Sequence, residues 1–164
     1  MFYSEPTDLA VIACPGGEAF ADAVIKHLKH IYKHRFSLKS DCINKRYQIE
    51  KNDLIQKINF ESDLYSPEIV VKSSTERYRE PKFKVDTTFT YFANGEFKTE
   101  INESIRGKQV YIFQDVENHE VLNLNGGKNK LSLSVNDHVM GLLVTIDAVR
   151  QAGASSITLV VPVY

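Results

Sequence analysis

Apolar and polar positions alternate between two periods along this chain. Leu9 to Cys14 (LAVIAC) is a short unbroken apolar run closed by Pro15, Gly16 and Gly17, which predicts a buried strand and a turn. The stretch EAFADAVIKHLKHIYK follows. Phe20, Val24, Leu28 and Ile31 recur at spacings of four and three there, which puts them on one face of a helix. KVDTTFTYF and FKTEINE return to a two-residue period and predict a pair of strands, and QVYIFQ is a further buried strand. SVNDHVMGLLVTIDAVRQAG is the clearest helix, with Ser134 as N-cap, Asp137 in the electropositive first turn and Gly153 as its stop. Its expected apolar face is Val135, Val139, Leu142, Leu143, Ile146 and Val149. SITLVVPVY is a final apolar strand.

A strand–helix–strand order with both strands apolar implies a parallel pair joined by a right-handed crossover. The expected class is α/β: a parallel sheet flanked by helices, with a β-hairpin. Two segments break the pattern. Residues from about 34 to 81 are dense in Lys, Arg, Asp, Glu and Ser, and read as an insertion with one helix near Leu54–Ile58, one strand at Ile69–Val71 and an exposed loop from Ser74 to Pro81. DVENHEVLNLNGGKNK reads as a long polar loop. An apolar core strand at the very end leads to the expectation that this chain is part of a longer protein.

Composition narrows the function classes. The 164 residues suit one domain, and a net charge of −1 gives no reason to expect bulk binding to nucleic acid or to an anionic membrane. No apolar run reaches membrane-span length, and MFYSEPTDL has neither a basic start nor an apolar h-region. Cys14 lies in an apolar run and reads as a small core residue. With Cys42 as the other cysteine there is no metal pattern, which suits a reduced, cytoplasmic setting. His27, His30 and His34 share helical spacing, but Lys26, Lys29, Lys33 and Arg35 beside them oppose a metal and suit a solvated basic helix end. His119 and His138 read as structural or exposed, Gly16-Gly17 as a turn, and Asp147 as a packing or capping partner.

The hairpin around Asn94-Gly95 carries the candidate chemistry. A two-residue turn would set Phe89 opposite Glu100 and mix the apolar set with the charged one. A three-residue loop, Asn94-Gly95-Glu96, sets Tyr91 opposite Thr99 and Phe89 opposite Ile101, so an odd-length loop is expected. Phe92 then falls on the polar face with Thr88, Thr90 and Lys98, next to Asn94 and Glu96. It is either a surface phenylalanine covering a neighbouring chain or the insertion, or a stacking platform for a heteroaromatic ring whose amino groups the amide and carboxylate read. Just beyond, Ser104, Arg106 and Gly107 form a turn that is either a solvated connection or a phosphate-sized anion site.

FANGEFKTEINESIRGKQVYIFQD and VNDHVMGLLVTIDAVRQAGASSITLVVPVY together resemble the N-terminal part of the ribose-phosphate diphosphokinases, the phosphoribosyl pyrophosphate synthetases. That family's pattern runs Phe-x-Asp/Asn-Gly-Glu, Glu-Ser-x-Arg-Gly, an apolar strand ending in Gln, then Val-Asn-Asp-x-x-Met-x-Leu-Leu. LAVIACPGGEAFADAVIKHL fits its first strand and helix more loosely. The resemblance implies a phosphoribosyltransferase-like N-terminal half domain over residues 1–164, incomplete and carrying the insertion at about 34–81. It further implies transfer of the β,γ-diphosphoryl group of ATP to ribose 5-phosphate with Mg²⁺, and self-association as dimers within hexamers.

By the same resemblance Phe92 stacks on the adenine in a neighbouring subunit's ATP site, with Asn94 and Glu96 helping to hold the base, so the ligand reading of Phe92 is preferred. Ser104 and Arg106 hold phosphate groups of an effector, ADP or inorganic phosphate. Two departures stand out. Gly153 replaces a serine that helps the effector site, and the loop from Val116 to Lys130 is longer than the family's. The family's metal-binding histidine, basic catalytic loop and ribose-phosphate loop lie beyond Tyr164. The resemblance thus implies no catalytic residue and no metal ligand here, and a chain inactive by itself. The alternative is a non-catalytic relative, a regulatory module that binds nucleotide or phosphate and pairs with active subunits.

Overall fold

The computed structural model describes residues 8–48, 80–125 and 129–162. The chain divides into two compact units, one comprising Asp8–Ile25 and Phe83–Tyr164, the other Met1–Thr7 and Lys26–Lys82.

The first unit is built on a parallel sheet. Strands β1 (Leu9–Ala13), β4 (Gln109–Phe113) and β7 (Ser156–Val160) lie in the order β1-β4-β7, with Ile12 opposite Ile112 and Ile112 opposite Leu159. The expected α/β class is therefore present. β1 and β4 are unbroken apolar runs because they are covered on both faces: Val11, Ile12, Val110 and Ile112 are buried. Each such side chain contributes about 1.5–3 kcal/mol by leaving water. On the far side of β1 the chain runs alongside as a short parallel bridge, with Val11 N–H donating to the Phe83 carbonyl at 2.7 Å and Val85 N–H to the Val11 carbonyl at 2.9 Å. Phe83 and Val85 are thereby buried.

From Val85 the chain leaves the sheet as a hairpin, β2 (Thr87–Tyr91) and β3 (Phe97–Ile101). Helix α2 (Val135–Gln151) packs against β3. A Cβ on Gly141 would stand 3.2 Å from the Phe97 ring, so the absent side chain there is what lets the ring seat on the helix. Thr145 bonds Thr99 at 2.9 Å and returns a hydrogen bond to the Gly141 carbonyl. The expected caps of α2 are present. Ser134 and Asp137 form a reciprocal capping box. At the other end Gly153 (φ +81°) donates to the Arg150 carbonyl and Ala154 N–H to that of Val149, closing a Schellman turn.

Several sequence expectations are corrected. The buried face of α2 is His138, Gly141, Leu142, Thr145 and Val149, whereas Val135, Val139 and Leu143 are exposed. Hydropathy counts Thr and His as outward, but both are paired inside. The polar stretch after β4 is not one loop. It carries a second antiparallel hairpin, β5 (Val121–Leu124) with β6 (Asn129–Ser132), whose short strands are obscured by Asn and Gly. On α1 (Glu18–Tyr47) the buried positions are Ala21 and Ile25, while Phe20 is exposed with its edge against Phe113, ring centroids 5.5 Å apart.

In the second unit α1 continues to Tyr47. Thus residues 34–47 of the expected insertion are helical, while the helix, the strand and residues 74–79 of the expected loop lie outside the described residues; at the end of that loop Glu80 is exposed, but Pro81 is buried rather than exposed. His27, His30 and His34 are exposed beside exposed Lys26, Lys33 and Arg35, and Lys29 pairs with Glu80 at 2.5 Å.

Candidate functional site

The β2–β3 hairpin closes through Ala93-Asn94-Gly95. Phe92 N–H donates to the Glu96 carbonyl at 2.8 Å, and Gly95 N–H to the Phe92 carbonyl at 3.0 Å. The loop has the odd length expected, but it sits one residue earlier than Asn94-Gly95-Glu96. Tyr91 therefore faces Phe97 and Phe89 faces Thr99. Parity, set by which face is buried, is as the pattern requires; the pairing itself is set by Gly95. Its φ of +89° makes it the left-handed bulge residue that ends such a three-residue loop. Phe89 and Phe97 then lie on the inner face, centroids 5.9 Å apart.

The outer side carries the candidate residues. Phe92 is 42% exposed, a large share for an aromatic ring on a well-formed hairpin. Asn94 and Glu96 are exposed beside it. The Asn94 side-chain oxygen accepts from Glu96 N–H at 3.2 Å, and its amide N–H groups supply the donors of the loop. The three side chains thus offer an apolar face, a donor and an anionic acceptor within five residues of chain.

The base of this loop is held on both edges. Tyr91 is not bonded to β3 through its backbone, and its N–H and carbonyl are both taken by Asn125, at 2.9 Å each. The Ser134 hydroxyl, then its backbone N–H, and to a lesser degree Tyr91 hold the Asp137 carboxyl below its ordinary value.

Ser104 and Arg106 are exposed on the turn that leads into β4, while Ile105 between them is buried. This turn is stitched to the end of α2. Gly107 N–H donates to the Gly153 carbonyl at 2.9 Å and Ser155 N–H to that of Lys108 at 2.8 Å. The Arg106 side chain runs past Gly153, its Cγ 3.7 Å from where a Cβ would stand. The structure therefore brings Arg106 beside Gly153, with Ser104 on the same turn as Arg106. A serine at Gly153 would have room but an unfavourable backbone.

Sequence reasoning missed a buried polar cluster where β1 and β4 end. Gln114 donates to the Pro15 and Asp115 carbonyls, both at 3.0 Å, and meets His138 Nδ1 at 3.1 Å. The Asn118 carbonyl can only accept, so His138 Nε2–H donates to it at 3.0 Å, and Nδ1 faces the Gln114 amide, whose two hydrogens are shared among three acceptors. The one available signal was a glutamine closing an apolar strand. Every partner in this cluster belongs to the chain, so it reads as scaffold that fixes the strand ends.

Residues 77–164, more than half of the chain, match the family described as the N-terminal domain of ribose phosphate pyrophosphokinase. The chain is 38% identical over 79 residues to the ribose-phosphate pyrophosphokinase of Aquifex aeolicus, covering 48% of this chain and 21% of that protein. It is 36% identical over 78 residues to ribose-phosphate pyrophosphokinase 1 of Listeria monocytogenes, covering 48% and 20%. A Corynebacterium ammoniagenes ribose-phosphate pyrophosphokinase is 38% identical over 73 residues, covering 44% and 18%. The chain thus matches about a fifth of the length of these curated relatives. This chain belongs to the family of the ribose phosphate pyrophosphokinase N-terminal domain.

Proposed function

We propose that the chain serves a ribose-phosphate diphosphokinase, which passes the β,γ-diphosphoryl group of ATP to ribose 5-phosphate, and that its part is to bind the nucleotide base. The observation that carries this reading is the exposed Phe92 on a braced hairpin. Its ring supplies a stacking face for adenine. The Asn94 amide N–H groups donate to a ring nitrogen, and the Glu96 carboxylate accepts from the exocyclic amino group. Following the family resemblance, the base it meets is assigned to the ATP site of a second copy.

Self-association is supported by an apolar stripe on α2, where Val135, Val139, Met140 and Leu143 all face solvent. Ser104 and Arg106 form the effector site for the phosphate of ADP or inorganic phosphate, with the hydroxyl of the family's serine missing at Gly153. Mg²⁺ belongs to the reaction of the whole enzyme. Among the described residues no group of three or more His, Cys, Asp or Glu could hold a metal ion. Two cysteines without a disulfide among the described residues suit a reducing, cytoplasmic setting.

The test is a substitution series at Phe92 in the complete enzyme. Phe92→Ala raises KM for ATP roughly tenfold, the loss expected of one base-stacking contact. KM for ribose 5-phosphate stays put, and Phe92→Tyr recovers most of the loss. An unchanged KM for ATP in the alanine variant rejects the proposal.

A further inference from the structure

We infer that Asn125, at the tip of the β5 strand, is a positioning residue for the Phe92 loop, and that the β5–β6 hairpin acts as its brace. In an antiparallel ladder, a residue whose opposite pair is not hydrogen-bonded turns its N–H and carbonyl to the outer edge of its strand. Tyr91 is such a residue, because the ladder bonds next to it are made by Phe92 with Glu96. Left alone, that edge would be open at the point where the loop departs. The Asn125 side chain closes it with two hydrogen bonds of 2.9 Å, one accepted from Tyr91 N–H and one donated to the Tyr91 carbonyl. An amide side chain used this way does the work of one residue of a third strand.

The backbone of Asn125 is built for the task. Its φ is +54°, a left-handed conformation that asparagine adopts more readily than most residues. Asn125 is half-buried, so water competes less for these bonds. Phe92, the next residue, therefore projects from a backbone gripped by β3 on one edge and Asn125 on the other. Ordering this exposed ring in advance lowers the entropy lost when a ligand stacks on it.

Asn125→Gly separates side chain from backbone, because glycine keeps the positive φ and removes both hydrogen bonds. In this chain, amide hydrogen exchange at Phe92 and Gly95 should rise roughly tenfold in the variant. Both amides bond within the loop itself, so their exchange reports its opening, while Val11 and Ile112 should stay protected. Asn125→Asp keeps the acceptor, loses the donor, and should fall between. In the complete enzyme Asn125→Gly should raise KM for ATP while kcat at saturation and KM for ribose 5-phosphate are kept. Unchanged exchange at Phe92 and Gly95 overturns the inference whatever the kinetics show, as does faster exchange spread equally over the core. The kinetic arm rests on the nucleotide reading of Phe92. Faster loop exchange with no change in KM for ATP, in this variant and in Phe92→Ala alike, leaves Asn125 as the brace and removes the nucleotide role instead.

Discussion

Cys14 shows how a single side chain is set by its surroundings. It sits between β1 and α2, its thiol 3.7 Å from the Thr145 hydroxyl, and burial pushes its pKa up to about 12 from an ordinary 9.0. A folded value above the unfolded one means the contribution is whole below pH 9.0 and is lost as pH climbs toward 12. Cys42, by contrast, is exposed. In a native thiol titration at pH 8, only Cys42 should react, and denaturant should release the second equivalent; two reactive thiols in the folded chain would contradict this packing. The core role of Cys14 was legible in its apolar run. That Thr145 and His138 are also buried was not. Their burial depends on partners distant in sequence, Thr99 for one and Gln114 for the other, and no local pattern carries that information.

At the scale of elements, helix α2 was the most legible part of the chain, because both of its ends obey local rules. Ser134 and Asp137 stand at capping-box spacing, and Gly153 supplies the left-handed stop. Ser134→Ala should cost about 1 kcal/mol, read from chemical denaturation. The Asp137 carboxyl is held below its ordinary 3.8, chiefly by the Ser134 hydroxyl. Since the folded value lies below the unfolded one, the cap stabilises fully above pH 3.8 and loses its charge as pH falls through the folded value. Acid melts of Asp137→Asn should therefore show a weaker decline below that pH than the wild type; parallel curves would mean that the box carries no charge-dependent stability. The hairpins were less legible. Face alternation fixes strand parity, which is why the sequence reading found an odd loop. It does not fix a shift by two, which leaves every side chain on its own face and is decided by Gly95 and by Asn125 on the far edge. The β5–β6 hairpin gave almost no signal, because Val121 is exposed and four-residue strands rich in Asn look like loop.

At the scale of the whole molecule, the apolar stripe on α2 is where hydropathy alone points to the wrong face. Val135, Val139 and Leu143 do line one side of the helix, but that side faces solvent while the polar-looking side is packed. The proposed self-association assigns this apolar row to contact between copies. Leu143, at 54% exposure, is its best probe. Leu143→Glu should shift sedimentation velocity of the chain toward monomer with its melting temperature little changed, since the side chain supports no core contact; an unaltered assembly state would place the interface elsewhere. The candidate site has the same logic. Phe92, Asn94 and Glu96 were visible because an aromatic on a polar face breaks the alternation, while their rigid support was invisible because it comes from another hairpin.

The account turns on where the base of the nucleotide lies. The direct measurement is photolabelling of the complete enzyme with an azidoadenine nucleotide, followed by peptide mapping. The predicted result is modification within the peptide spanning Phe92 to Glu96, suppressed by excess ATP. ATP-protected labelling confined to other peptides, with Phe92 to Glu96 untouched, would contradict it.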